Sequence, residues 1–160
     1  RLEDLNINIK FDLVICNQVI EHVADVDIFL KELYKIGKND TVFIIETPNT
    51  NSIDRRIFKK YWGGFHSPQH FNLFNQRIIK EVLKKNKFQI KSIKYMPSTW
   101  NWCVSFINLG KNLNSKLILS FGNLKNPLIL IFFTVLDSLR ILLKFKSSNM
   151  RVVVMKENFK

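Results

Sequence analysis

The sequence is short of cysteine, of acidic residues and of long apolar runs. Its two cysteines, Cys16 and Cys103, form neither a disulfide framework nor a metal-ligand spacing, which is typical of a reduced, cytoplasmic protein. The most apolar stretch, 127–136, ends before Asp137 and is too short to cross a bilayer, so we expect no transmembrane helix. Internal repeats and low-complexity linkers are also lacking, and we expect one domain over residues 1–160.

Basic residues outnumber acidic ones by 25 to 13, which gives a formal net charge of +12. A basic chain can meet nucleic acid, an anionic membrane or a phosphorylated substrate. The excess also fits a chain rich in Lys, Asn and Ile, as a genome biased toward A and T would produce, and composition alone leaves both interpretations open. Because the basic residues are spread along the chain and form no single run with interleaved aromatics, we expect no nucleic-acid partner.

The first fifty residues show the pattern of a strand, a helix and a second strand. Residues 11–16 are a short apolar run with β-branched residues, typical of a strand covered on both faces. Asp25 is a good helix N-cap, apolar residues follow at helical spacing, and Gly37 is a natural stop. Residues 41–45 are a second buried strand, which residues 46–49 break. This order predicts a βαβ unit and an α/β fold.

The remaining residues predict two more strands and further helices. Residues 50–74 are irregular, Asn75 caps another helix, and residues 88–96 have the pattern of a strand. Residues 100–146 are apolar with helical spacing, and residues 151–155 are a last strand. We therefore interpret the apolar segment as a helical insertion before the last strand.

Polar residues follow both strands of the βαβ unit, at 17–22 and at 46–49. Ligands of open α/β sheets bind at the carboxyl ends of the strands, so these two segments are the candidate site. The alternative is that both are ordinary turns.

Several segments resemble class I S-adenosylmethionine-dependent methyltransferases, most closely the branch with ubiquinone-biosynthesis O-methyltransferases and many cell-surface biosynthesis enzymes. Residues 11–23 resemble the fourth strand and following loop of that family, and Ile20-Glu21-His22-Val23 is the most specific phrase. Three further segments are similar to the end of the fifth strand, to the segment over the substrate pocket and to the antiparallel seventh strand. They are Glu46 to Asn49, Trp62 to Phe74 and Met150 to Lys156.

The resemblance implies the C-terminal part of a Rossmann-like methyltransferase sheet, with parallel strands and a final antiparallel strand. It implies S-adenosylmethionine as cofactor, with Asn17, Gln18 and Val19 lining its site and Leu2 offering a backbone N–H to the adenine. The chain starts at Arg1, and the family's glycine-rich first loop is not in the sequence. We therefore expect an N-terminally truncated domain that binds the cofactor poorly by itself.

The histidines and one glutamate are the candidate catalytic residues. An O- or N-nucleophile needs a proton removed, and a histidine has a suitable pKa. His22, beside Glu21 at the predicted pocket mouth, is one candidate; its alternative role is to anchor the loop. His66 and His70 are spaced as a metal pair, but Pro68 lies between them, so we favour a base or a substrate contact.

We expect no bound metal. Relatives that hold a divalent cation use an acidic pair and a histidine, and the matching positions here are Gln18, Glu21 and His22. The amide at Gln18 removes one charged ligand.

Trp62 and Phe65 are candidates to line the substrate site, with core packing as the alternative. The apolar insertion is either a buried helix over the pocket, which we favour slightly, or an interfacial helix with peripheral contact to the inner membrane face through residues 125–146.

These features predict methyl transfer by in-line displacement to a small-molecule, sugar or lipid-linked acceptor, with O-methylation favoured. The alternatives are a noncatalytic methyltransferase-like fragment, a basic membrane-associated module and another nucleotide-binding α/β enzyme.

Overall fold

A computed structural model describes residues 9–66 and 68–157. Four strands lie within the described residues: β1 Phe11–Asn17, β2 Gly37–Pro48, β3 Phe88–Met96 and β4 Asn149–Lys156. The α-helices are α1 Val26–Ile36, α2 Ile53–Phe58, α3 Gln76–Lys85, α4 Thr99–Asn112, α5 Lys116–Ser120 and α6 Pro127–Leu142. Two 3₁₀ turns, Lys59–Tyr61 and Gly63–Phe65, follow α2. The predicted α/β class is confirmed.

The four strands form one sheet in the order β1-β2-β4-β3. β1 and β2 are parallel, with Asn17 opposite Glu46, and β4 runs antiparallel to both of its neighbours. Asn149 at the start of β4 lies opposite Pro48 of β2 and Met96 of β3. The carboxyl ends of β1, β2 and β3 therefore meet the beginning of β4 at one edge of the sheet, and the predicted antiparallel last strand is confirmed.

The crossover from β1 to β2 follows the sequence pattern closely. The carboxylate of Asp25 accepts a hydrogen bond from the Ile28 N–H at 2.9 Å and so begins α1. The helix buries Phe29, Leu30 and Leu33 against the sheet and ends at Gly37, which also begins β2. β2 continues to Pro48 rather than ending at residue 45, because its last residues pair with β4.

β1 differs from the prediction of a strand covered on both faces. Cys16 is buried, whereas the side chains of Leu13 and Ile15 are 52% and 60% exposed. Within the described residues β1 is an edge strand, and one face of it packs against no other element. The expectation is therefore wrong for that face.

The segment predicted to be irregular contains a short helix, α2. Its N-cap is Ser52, whose hydroxyl accepts a hydrogen bond from the Arg55 N–H at 3.3 Å. Six residues are too few to show helical periodicity in a sequence, which explains the error.

The buried residues form two clusters. The sheet core lies between α1, α3 and the strands. The helical core is aromatic and joins α2, the 3₁₀ turns, α4 and α6; its buried members are Phe58, Trp62, Trp102, Cys103 and Phe133. The predicted helical insertion thus has its own core. No helix in the described part of the chain is long and apolar enough to cross a membrane.

Candidate active site

A cleft of about 530 Å³ opens at the sheet edge where β1, β2 and β3 end. It is lined by residues after β1, at the end of β2, in the 62–70 segment, at the start of α4 and at the start of β4. They are Asn17, Gln18, His22, Glu46, Pro48, Gly63, His66, His70, Pro97, Ser98, Thr99, Trp100, Asn101 and Asn149. A larger surface depression of about 650 Å³ beside α3 shares none of these residues and has no histidine in its lining. The rule for open α/β sheets therefore identifies the cleft as the candidate site.

Gln18 turns the chain sharply at the end of β1. Its backbone is left-handed, with φ at 52°, a conformation that is uncommon for a residue other than glycine. Its N–H donates to the Glu46 carbonyl at 3.0 Å, and its side-chain amide donates to the Asn149 side chain at 3.0 Å. Neighbouring Asn17 is exposed and lines the cleft. Strained backbone of this kind is common at functional sites.

Glu21 is fully buried beside the cleft. One carboxylate oxygen, Oε2, accepts a hydrogen bond from the Thr47 hydroxyl at 3.1 Å, and Oε1 has no partner among the described residues. Burial raises the pKa of this carboxyl, against smaller opposing effects of its hydrogen bonds. The backbone carbonyl of Glu21 accepts from the N–H groups of Phe71 and Asn72, which ties the histidine-bearing segment to the end of β1.

The three histidines named as candidates, His22, His66 and His70, lie close together. The ring centroids of His22 and His70 are 4.6 Å apart, and those of His66 and His70 are 5.1 Å apart. Nδ1 of His22 lies 3.0 Å from the Gln69 carbonyl, and Nδ1 of His70 lies 2.9 Å from the Gly64 carbonyl.

A carbonyl oxygen can only accept, so in both rings Nδ1 carries the hydrogen and Nε2 of the neutral ring keeps a free lone pair. Burial lowers the pKa of His70, and the neighbouring His22 and His66 lower it further. These effects favour the neutral form of the His70 ring.

The same neighbourhood could hold a cation. One potential ligand atom from each of Glu21, His22 and His70 lies within 4.8 Å of the others. The side-chain amide nitrogen of Gln18 donates to Asn149 Oδ1 at 3.0 Å, so Gln18 adds no negative charge to this group. Two imidazoles and one carboxylate suit a transition metal better than Mg²⁺. The expectation of a metal-free site stays a prediction.

The two aromatic residues predicted to line the substrate site lie elsewhere. Trp62 is fully buried in the helical core, where its Nε1–H donates to the Ser148 hydroxyl at 2.8 Å and to Asp54 Oδ2 at 3.2 Å. The Phe65 ring packs 5.2 Å from Trp62. Neither is among the residues that line the cleft, so their positions favour the core-packing alternative. Leu2, a predicted adenine contact, and Ser67 lie outside the described residues.

Trp100 is the aromatic residue that lines the cleft, and it was missed along with Ser98, Asn101 and Asn149. The signal was available for Asn149, because an antiparallel strand begins at the edge where its parallel neighbours end. For residues 97–101 the same reasoning applies, since they follow β3 directly.

This sheet, with its parallel pair and antiparallel β4, is a Rossmann-like arrangement with a polar cleft at its carboxyl edge. The profile of a family of methyltransferase domains matches residues 3–93. The chain belongs to this family, the class I S-adenosylmethionine-dependent methyltransferases.

Individual relatives agree with this assignment. A ubiquinone biosynthesis O-methyltransferase of Rickettsia conorii is 31% identical over 113 residues, which are 65% of this chain and 39% of that protein. The chain thus spans about two fifths of that relative's length.

Two solved structures share the fold. A SAM-dependent methyltransferase from Archaeoglobus fulgidus matches with a TM-score of 0.53 and 19% identity, covering 97% of this chain and 63% of that one. A possible histamine N-methyltransferase from Thermotoga maritima matches with a TM-score of 0.58 and 14% identity, covering 98% and 61%. At these identities the likeness concerns the fold alone.

Proposed function

We propose that the protein carrying this domain transfers a methyl group from S-adenosylmethionine to a hydroxyl oxygen of a small-molecule, sugar or lipid-linked acceptor. The observation that carries the proposal is the pair of histidines, His22 and His70, whose Nδ1 atoms are held by backbone carbonyls in a cleft at the sheet edge. The similarity to an O-methyltransferase supports oxygen as the acceptor atom.

The residues after β1 fit one side of the cofactor. Asn17 presents an exposed side chain at the cleft, so a polar contact to an adenosyl group is available, whereas the exposed Val19 is not among the residues that line the cleft. Gln18 completes this wall through its bond to Asn149. When bound, S-adenosylmethionine supplies a methyl group on a sulfonium centre; the chain supplies alignment, exclusion of water and removal of the acceptor proton.

We assign proton removal to the His22–His70 pair. A free Nε2 accepts the hydroxyl proton, and two rings with centroids 4.6 Å apart do not readily carry a charge each. His66, 5.1 Å from His70, contacts the acceptor in this proposal, and Glu21 sets the electrostatic environment of the pair.

Single substitutions in the intact enzyme test the assignment. We expect His70→Ala to lower kcat by roughly 10²–10⁴-fold, because a general base contributes about that much, with little change in the KM for the cofactor. Product is measured by mass spectrometry with candidate hydroxyl acceptors, and Arg77→Ala on the exposed side of α3 is the control. Unchanged kcat in both His22→Ala and His70→Ala would exclude the pair as base.

The pH profile gives a second readout. A base must be neutral, so kcat falls as the pH drops through its pKa, and the lowered pKa of His70 places this loss at lower pH than an ordinary histidine would. Because His22 contributes to the lowering, His22→Ala should move the acid limb to higher pH. An acid limb that does not move would remove His70 from the proposal.

Residues 1–160 alone should bind the cofactor weakly, since the sequence contains no Gly-x-Gly segment to form an opposite wall. Calorimetry with S-adenosylmethionine tests this, and micromolar affinity would contradict it.

The place of the reaction belongs to the same proposal. The Thr99 hydroxyl, at the cleft, lies 2.7 Å from the Thr134 hydroxyl of α6, so the cleft adjoins the segment 125–146. A lipid-linked acceptor could therefore reach the cleft from the inner face of a membrane.

A further inference from the structure

The outer face of α6 is apolar and exposed. Six large apolar side chains, each more than half exposed, follow one another at helical spacing along it. They are Leu128, Ile131, Phe132, Val135, Leu139 and Leu142. The segments before and after the helix carry further exposed apolar side chains, at Leu113, Leu117, Phe121, Leu143 and Phe145. We call the six residues on α6 the apolar face; exposed apolar patches rimmed by polar residues mark interaction sites.

The charges around the apolar face have one sign. Residues 111–146 contain a single acidic residue, Asp137, which is fully buried and bonded to Arg140 at 2.8 Å. Four lysines of the same segment are exposed: Lys111, Lys116, Lys125 and Lys144. Everything ionic that this region offers to a partner is therefore positive.

The orientation of α6 is fixed from its other side. Asp137 accepts from the Trp102 indole at 2.9 Å and from the Ser98 N–H at 2.8 Å, and Arg140 reaches buried Asp54 at 3.5 Å. With its polar groups satisfied inside the molecule, the helix cannot rotate to bury the apolar face without breaking these bonds. The fold therefore holds the apolar face in its exposed position.

We propose that the apolar face docks peripherally on an anionic lipid bilayer. In this arrangement α6, about 24 Å long, lies in the plane of the interface, with its leucines at the acyl boundary and the lysines of the flanking segments at the phosphates. This docking rests on the apolar face and the lysines around it, so it does not require that the protein transfers methyl groups.

Two other partners fit less well. A second copy carries the same net charge of +12, so pairing the two faces would bring like charges together. A nucleic acid would pair with the lysines and leave the leucines exposed to water.

Vesicle flotation of the full-length protein tests the proposal without cofactor or acceptor, so its outcome is independent of methyl transfer. We expect binding to phosphatidylcholine vesicles that contain 30% phosphatidylglycerol, weaker binding to pure phosphatidylcholine, and weakening by salt. The triple variant Leu128→Ser, Phe132→Ser, Leu142→Ser should lower the bound fraction roughly tenfold. Replacing Lys116, Lys125 and Lys144 by Gln should remove the preference for anionic lipid.

A matched control carries Ile57→Ser and Phe71→Ser, two apolar residues that are also more than half exposed but lie outside α5 and α6. It should bind vesicles like the unsubstituted protein, and circular dichroism checks the fold of each variant. Equal loss in the control, no binding to either vesicle, or binding indifferent to lipid charge overturns the proposal. The proposal is also overturned if the triple variant still binds vesicles but loses self-association that the unsubstituted protein shows. The same holds if it still binds vesicles but loses binding to an acidic protein.

Discussion

The helices α3 and α6 differ in the kind of side chain that each turns to solvent. α3 buries Ile79 and Leu83 in the sheet core and turns its charged residues to solvent, as an amphipathic helix of a water-soluble domain does. α6 buries Asp137 together with Phe133 and turns Leu128 and its neighbours outward. The difference teaches that an apolar outer side can belong to a helix whose inner side carries a buried aspartate, which is the feature on which the proposed docking rests.

α6 can bury Asp137 because hydrogen bonds and an ion pair compensate the charge of its carboxylate. Asp137 has three donors around it, and Arg140 stacks 5.2 Å from the Trp102 ring while it bridges to Asp54. Burying a charge without such partners costs several kcal/mol. On α3, by contrast, the ion pair between Arg77 and Glu81 lies in water and contributes little.

The largest expected effect comes from replacing the arginine that forms the ion pair on each helix. Arg140→Met leaves two buried carboxylates without a cation and should lower the free energy of unfolding by about 3–5 kcal/mol. Arg77→Met removes an exposed pair and should cost about 0.5 kcal/mol or less. Urea unfolding of both variants measures the contrast, and equal costs would show that the buried network does not hold α6.

A second comparison uses leucines. Leu83→Ala removes a fully buried side chain from the sheet core and should cost about 2–5 kcal/mol, because it leaves a cavity. Leu139→Ala on α6, where the leucine is 55% exposed, should change the free energy of unfolding in water by about 0.5 kcal/mol or less. The same urea experiment without lipid decides it. A large cost for Leu139→Ala would mean that the outer side of α6 is packed in solution.

The contrast between the helices also explains what the sequence could predict. α1 and α3 follow local rules: Asp25 and Asn75 cap them, and their apolar residues recur on the buried face, so both were predicted. For α6 the apolar spacing was visible, but a spacing does not say which side faces the protein. The slight preference for a buried helix does not hold for the outer face, whose apolar side chains are exposed. The side that faces the protein carries Asp137, and its partners Trp102 and Ser98 lie 35 and 39 residues away in the sequence.

The site shows the same limit. The strand ends predicted Asn17, Gln18, Glu21 and His22, and the resemblance added His66 and His70; the cleft or its edge brings these six together. The functional roles stay predictions. Trp62 could not be placed from sequence, because its indole is held by Ser148, 86 residues away.

The smallest expected effect concerns Glu21, a buried carboxylate that, unlike Asp137, forms no ion pair with an arginine among the described residues. Burial raises the pKa of Glu21, so the folded state keeps its proton to a higher pH than the unfolded state does. Its contribution to stability is therefore present at low pH and is lost as the pH rises from the ordinary glutamate pKa to the raised one. Glu21→Gln cannot ionise and should be more stable than the unsubstituted protein above that window, with little difference below it.

Urea midpoints between pH 4 and 8 measure this, with Glu81→Gln on the exposed side of α3 as the control that should leave the pH dependence unchanged. Parallel profiles for Glu21→Gln and the unsubstituted protein would show that Glu21 carries no such cost. A gain in stability combined with a loss of methyl transfer would indicate that the domain keeps a carboxylate without a cation at this position because the cleft needs its charge. The buried aspartate of α6 differs, because the Ser98 N–H, the Trp102 indole and Arg140 all donate to it.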